Sequence, residues 1–152
     1  MEIYFHLSWL KSDSIRSKVF KLDGARELFS EYVERISKFV PCKVLGAVSR
    51  DRLDKMGTKV WVCDRGPGSV ELTSEQLAAR FETTCASGAR EFHIVIGCPD
   101  GFSKKELERM KPDLIWSFGP LTFPHELAAV VASEQIYRAW TILRHMPYHS
   151  GH

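Results

Sequence analysis

Three short runs of this sequence combine a reactive or turn-forming side chain with glycine. They are Cys63-Asp64-Arg65-Gly66, Gly97-Cys98-Pro99-Asp100-Gly101 and Phe118-Gly119-Pro120. Each follows an apolar stretch ("TKVWV", "FHIVI" and "DLIWS"). A glycine just past a buried stretch exposes backbone N–H and C=O groups with no side chain in front of them. One such glycine is ordinarily a turn residue and nothing more. Three around a single cleft suit a flat ligand with polar edges, such as an adenine nucleoside. The fingerprints of other nucleotide sites are missing: the chain has no G-x-G-x-x-G and no G-K-[ST].

Other reactive side chains gather near the C-terminus. Glu134 and Arg138 lie four apart, the spacing of an ion pair on a helix surface. His145, His149 and His152 invite a metal reading. Pro147 breaks a continuous helical face between the first two and no cysteine is near, so no metal site is predicted. The four cysteines, Cys42, Cys63, Cys85 and Cys98, contain no C-x-x-C pair and read as reduced, intracellular thiols.

The elements that must position these groups follow from periodicity and capping signals. Strands are predicted over Glu2–Ser8, "KVLGAV", Thr58–Asp64, the run ending at Ile96, and Asp113–Phe118. Asp23 is expected to cap a helix running to about Phe39, with Leu28, Tyr32, Ile36 and Phe39 on one face. Thr73 with Gln76, and Ser103 with Glu106, form capping boxes for helices ending near Ser87 and Met110. A last helix spans about His125 to Arg144, its apolar Leu127, Val130, Val131, Tyr137, Trp140 and Leu143 facing a core or a dimer interface. The polar "KSDSIRSKVFKLDG" reads as a loop. Alternating strands and helices imply one α/β domain over residues 1–152, a parallel-rich sheet covered by helices on both faces. Ligands of such sheets bind beyond the carboxyl ends of the strands, where the three glycine runs fall.

The whole-chain totals are consistent with this. The 152 residues are 44% hydrophobic and 26% charged, enough for one sizeable core. With 21 Lys+Arg against 19 Asp+Glu, the net charge of +2 does not announce a strongly basic nucleic-acid face. No apolar run reaches the roughly 20 residues of a membrane span, and "MEIYFHLSWLKSD" is no signal peptide. A soluble, cytoplasmic protein is expected.

The C-terminal third is more specific. "IVIGCPDGFSKK" followed by "LIWSFGPLTFPHELAAVVASEQIYRAWTILRHMPYH" resembles the RlmH family, SPOUT-class methyltransferases that modify large-subunit ribosomal RNA. The resemblance rests on an Ile-Gly-x-x-x-Gly loop, Ser117 with the run Leu121 to His125, Glu134-Gln135-x-Tyr137-Arg138-Ala139, and Pro147-Tyr148-His149. It covers about Phe92 to His149 and extends more weakly through "VCDRGPGSVELTSEQLA"; the first 58 residues match loosely, mainly in "EYVERI". It implies a SPOUT-type α/β fold with a C-terminal trefoil knot, a homodimer, and S-adenosyl-L-methionine held in the knot. The implied substrate is N(3) of a pseudouridine in helix 69 of 23S rRNA, on the assembled ribosome. Carried over position by position, the cofactor site would comprise Cys63, Gly97, Phe118, Gly119, Pro120, Leu121, Thr122 and Phe123. Gly97 would allow close backbone approach to the cofactor. Methylating a ring nitrogen that bears a proton needs alignment, a proton acceptor and a way to stabilise the anion. Arg138 is the candidate for orienting the base or stabilising its charge, Tyr148 for stacking on a flipped base, and His149 for relaying the proton.

The chain departs from the family pattern in places. Cys98 stands where a second glycine is usual, "HLSWLKSD" and "GPGSV" replace Gly-Lys after the first and third strands, and Gly46 to Gly57 leaves room for little beyond one helical turn. Substrate docking is thus less well matched than cofactor binding. The alternative is a degenerate SPOUT protein that binds ribosomal RNA without catalysis.

Overall fold

The computed structural model describes residues 1–10, 20–97 and 100–151. Cys98 and most of the polar loop after Leu10 lie outside the described residues. The elements, in chain order, are β1 (Glu2–Leu7), α1 (Ala25–Ser37), β2 (Cys42–Leu45), α2 (Arg50–Leu53), β3 (Thr58–Cys63), β4 (Val70–Glu71), α3 (Ser74–Ala86), β5 (Glu91–Ile96), α4 (Lys104–Met110), β6 (Leu114–Ser117) and α5 (His125–Leu143).

The strands form one sheet in the order β2-β1-β5-β3-β6-β4, and every neighbouring pair is parallel. β5 sits between β1 and β3 and pairs with both along its whole length, Ile94 opposite Phe5 on one side and Trp61 on the other. Its residues from Phe92 to Ile96 are all buried, which is why that stretch reads as a near-continuous apolar run.

Alternation within the strands divides the core in two. Ile3, Phe5 and Leu7 of β1, Trp61 of β3 and Phe92, Ile94 and Ile96 of β5 pack with α1, α3 and α5. Val60 and Val62 of β3 and Val95 of β5 face the other way, onto Leu53 of α2 and Met110 of α4. Truncating a fully buried ring such as Phe92 or Phe81 to alanine costs about 3–5 kcal/mol.

Both capping boxes form: the Thr73 hydroxyl accepts from Gln76 N–H at 3.1 Å, and the Ser103 hydroxyl from Glu106 N–H at 3.1 Å. The start of α1 differs from expectation. Gly24, in the left-handed region at φ 79°, occupies the cap without a side-chain hydrogen bond, so Asp23 is not the cap. The buried face is also rotated from the expected one. Ala25, Phe29 and Ile36 point inward, whereas Leu28 is 47% exposed. Phe29 wins the inward position because its ring packs edge-on to Phe5 and against Phe20. α2 is the single turn that the short connection leaves room for, and the two-residue β4 was not anticipated.

The end of α5 positions the tail. His145 adopts φ 54° and donates its N–H to Ile142 O, while Met146 N–H donates to Thr141 O. This is a Schellman closure with histidine where glycine is usual. It reverses the chain, and Pro147 prevents the helix from resuming. Tyr148 and His149 are thereby folded back against α5.

Candidate active site and its two clusters

The sheet's carboxyl edge carries a cavity of about 380 Å³. Cys63 ends β3, Gly97 follows β5, and Phe118, Leu121, Thr122 and Phe123 belong to the loop after β6; all six line it. Gly119 and Pro120 belong to the same loop without lining the cavity. The three glycine-bearing strand ends therefore do meet. The loop is fixed from within and from outside. Ser117 Oγ accepts from Gly119 N–H at 3.2 Å, and Arg65 Nη1 donates to Pro120 O at 2.6 Å. Phe118 packs edge-on to Trp116, with ring centroids 4.8 Å apart. The backbone N–H groups of Leu121, Thr122 and Phe123 make no hydrogen bond among the described residues. A loop held this way, with unengaged donors, suits a ligand read through backbone groups.

Sequence reasoning missed part of the lining: Asp64, Arg65, Asp100, Phe102 and His125 also contribute. His125 stood in the quoted Leu-Thr-Phe-Pro-His run and Asp64 directly follows Cys63, so position beside a recognised residue was the available signal. Burial raises the Asp64 carboxyl against the opposing pull of Arg65, and burial lowers His125. Burial also pushes the Cys63 thiol well above its ordinary range, leaving it a neutral wall group. Packing also favours glycine at position 97. A Cβ there would stand 2.7 Å from Cε2 of Phe102, so the ring occupies the space on that side.

Arg138, Tyr148 and His149 form a second cluster away from this cavity. Glu134 Oε1 accepts from Arg138 Nη2 at 2.7 Å, from Arg138 Nε at 3.0 Å and from the Tyr148 hydroxyl at 2.9 Å. Arg138 Nη1 lies 3.1 Å from His149 Nδ1, and its guanidinium carbon stands 4.9 Å from the Tyr148 ring centroid. His149 Nε2 contacts Glu75 Oε1 of α3 at 2.7 Å. A guanidinium only donates, so His149 Nδ1 must accept, and a neutral ring with its proton on Nε2 satisfies both contacts. Burial and the hydroxyl contacts to Tyr32 and Glu134 raise Tyr148 far above the usual phenol value, so it stays protonated. The Glu134–Arg138 pair is more than a solvated surface bridge: its side chains are 17% and 13% exposed.

The two clusters do not meet within one chain. His125 lines the cavity at the start of α5, and Arg138 lies thirteen residues further on. At 1.5 Å of rise per residue that is about 20 Å along the helix. Among the described residues no three His, Cys, Asp or Glu side chains gather to hold a metal ion, and no helix is long and apolar enough to cross a membrane.

The fold and cavity define a class: an α/β protein that receives a ligand beyond the carboxyl ends of a parallel sheet. Within that class the chain belongs to the SPOUT methyltransferase family, whose model, described as "Predicted SPOUT methyltransferase", matches residues 18–149. Several curated relatives carry the name ribosomal RNA large subunit methyltransferase H. The one from Koribacter versatilis is 34% identical over 140 residues, covering 87% of this chain and 92% of its own. The one from Dichelobacter nodosus is 33% identical over 144 residues, covering 84% and 90%. Against the relative from Thioalkalivibrio sulfidiphilus, identity reaches 42% over 77 residues, but the chain spans only 47% of that protein's length.

Proposed function

We propose that this protein is an S-adenosyl-L-methionine-dependent methyltransferase acting on N(3) of a pseudouridine in helix 69 of 23S rRNA. In this reading it works as a homodimer on assembled ribosomes in the cytoplasm, and its C-terminal segment forms the trefoil knot. The observation that carries the reading is the cavity over β3, β5 and β6, lined by Cys63, Gly97, Phe118, Leu121, Thr122 and Phe123, positions to which the resemblance assigns the cofactor. The rRNA methyltransferase names of relatives matched along most of their length support the substrate class.

When bound, S-adenosyl-L-methionine supplies an electrophilic methyl group on a sulfonium centre. The chain's own residues do the rest. The loop from Phe118 to Phe123 would present backbone groups to the adenine edge, with Cys63 and Gly97 in the cavity wall beside it. Asp64 and His125 offer polar contacts at its walls. The target nitrogen must lose a proton, and in this reading Arg138 stabilises the resulting anion. Moving Arg138 from His149 onto that anion frees Nδ1 of His149 to accept the proton. Tyr148, protonated, stacks on the base.

Because Arg138 lies about 20 Å along α5 from the cavity it must serve, each site is completed by the tail of a second copy. Incubating the protein with labelled S-adenosyl-L-methionine and ribosomes from a strain lacking the gene should yield a methylated pseudouridine in helix 69. No label at that position overturns the target. Arg138→Ala should lower kcat by about 100-fold or more with cofactor affinity unchanged. No binding of S-adenosyl-L-methionine at millimolar concentration in calorimetry would favour an RNA-binding protein without catalysis.

A further inference from the structure

A second, larger cavity of about 640 Å³ lies beside the first at the same edge of the sheet. Ser8 follows β1, Ala47 and Val48 follow β2, and the two cavities share Asp100, Gly101 and Phe102 as a common wall. The strand order makes this adjacency necessary, since β1 and β2 continue the sheet on the side of β5 away from β3. The Phe102 ring is held as the divider by its fit against Gly97, where a side chain would collide with it.

The lining has the character of a nucleotide subsite. Val48, Leu53 and Met110 offer an apolar floor, and Phe102 offers a ring on which a base can stack. Arg109 is exposed and makes no hydrogen bond or ion pair among the described residues, which leaves its guanidinium for a phosphate. Asp100 likewise makes no hydrogen bond or ion pair among the described residues and can accept from a base edge or a ribose hydroxyl. The volume falls within the roughly 300–1,000 Å³ of ordinary ligand pockets.

We infer that this cavity receives a nucleotide of the RNA strand next to the target, its base against Phe102 and its phosphate on Arg109. The inference rests on the rRNA methyltransferase reading above. A target base must enter the cofactor cavity to be methylated, and the next nucleotide of the strand then falls on the far side of the shared wall. This assigns substrate contacts to the β1–β2 side of the sheet, where the sequence departs from the family and docking was least legible.

Ala47→Trp and Arg109→Ala test it with complementary changes, the first filling the cavity from an exposed position and the second removing its cation. With undermethylated ribosomes and labelled S-adenosyl-L-methionine, each should raise KM for the ribosome about tenfold, the scale of one lost stacking or phosphate contact. The cofactor Kd and kcat should hold. Arg109→Ala should also reduce the slope of log affinity against log salt by about 1. Lys104→Ala, a cation on the same helix outside this cavity, should leave KM within twofold of the wild type. A ribosome KM within twofold of wild type for both variants overturns the subsite and leaves the methyltransferase reading intact. Absence of methyl transfer by the wild-type protein overturns that reading, and the subsite with it. Ala47→Trp is checked for folding by its melting temperature, and Arg109→Ala decides the question if the tryptophan variant unfolds.

Discussion

His93 and His6 are fully or almost fully buried in the middle of the sheet, with His6 Nε2 2.6 Å from His93 Nδ1 and His93 Nε2 2.9 Å from Glu91 Oε2. The carboxylate only accepts, so His93 donates from Nε2 and takes the His6 N–H on Nδ1. Tyr4 stacks on His93 at 4.8 Å, the Arg52 guanidinium carbon lies 4.5 Å from the Tyr4 ring centroid, and Lys55 adds to the positive field. Burial lowers the His93 pKa, with Glu91 pulling the other way. The folded state therefore refuses a proton that the unfolded chain accepts near the ordinary value of about 6.5. Its stability contribution is present above that pH and is lost as pH falls through it. The unfolding free energy from denaturant titrations should fall between pH 7 and pH 5, by at most about 1.4 kcal/mol per pH unit for this group. His93→Gln should flatten that fall, and an unchanged slope in the variant would remove His93 as its source. None of this was legible beforehand, because two histidines 87 residues apart become neighbours only through the β1–β5 register.

At the scale of elements, the turn at His145 determines where the tail goes. A left-handed conformation costs a non-glycine residue roughly 1–2 kcal/mol. Exchanging His145→Gly should raise stability by about 1 kcal/mol, read as a higher melting temperature, with Tyr148 still against Glu134. A fall in stability would mean that the His145 side chain contributes contacts exceeding that strain. The boundaries of α3, α4 and α5 were readable from Thr73, Ser103 and Pro124, since capping chemistry is local. The central strands were readable from their apolar runs. The rotated face of α1 was not: Leu28 and Phe29 are adjacent apolar residues, and only the rings of Phe5 and Phe20 decide between them. The cavity wall at Phe118–Phe123 came from resemblance supported by the strand-end rule. The clasp from Arg65 to Pro120 spans 55 residues and leaves no local trace.

For the whole molecule, the separation of cavity and tail cluster leads to a complementation test. A chain whose cavity is filled by Thr122→Trp should be inactive, as should one carrying Arg138→Ala. If two copies share each site as proposed, a mixed dimer of the two holds one complete site of two, so isolated mixed dimers should recover up to half the activity of the wild-type protein. Activity no greater than that of the separate variants would show that each chain must supply both halves of its own site. β5 is the keystone between β1 and β3, yet its last residue is Ile96, while β1 is complete at Leu7. At about 5–20 residues per second, roughly 4–18 s separate the two on the ribosome. Throughout that interval the apolar edge of β1 that β5 will cover stays open. The nascent chain is then most exposed to wrong pairing and most in need of a holding factor.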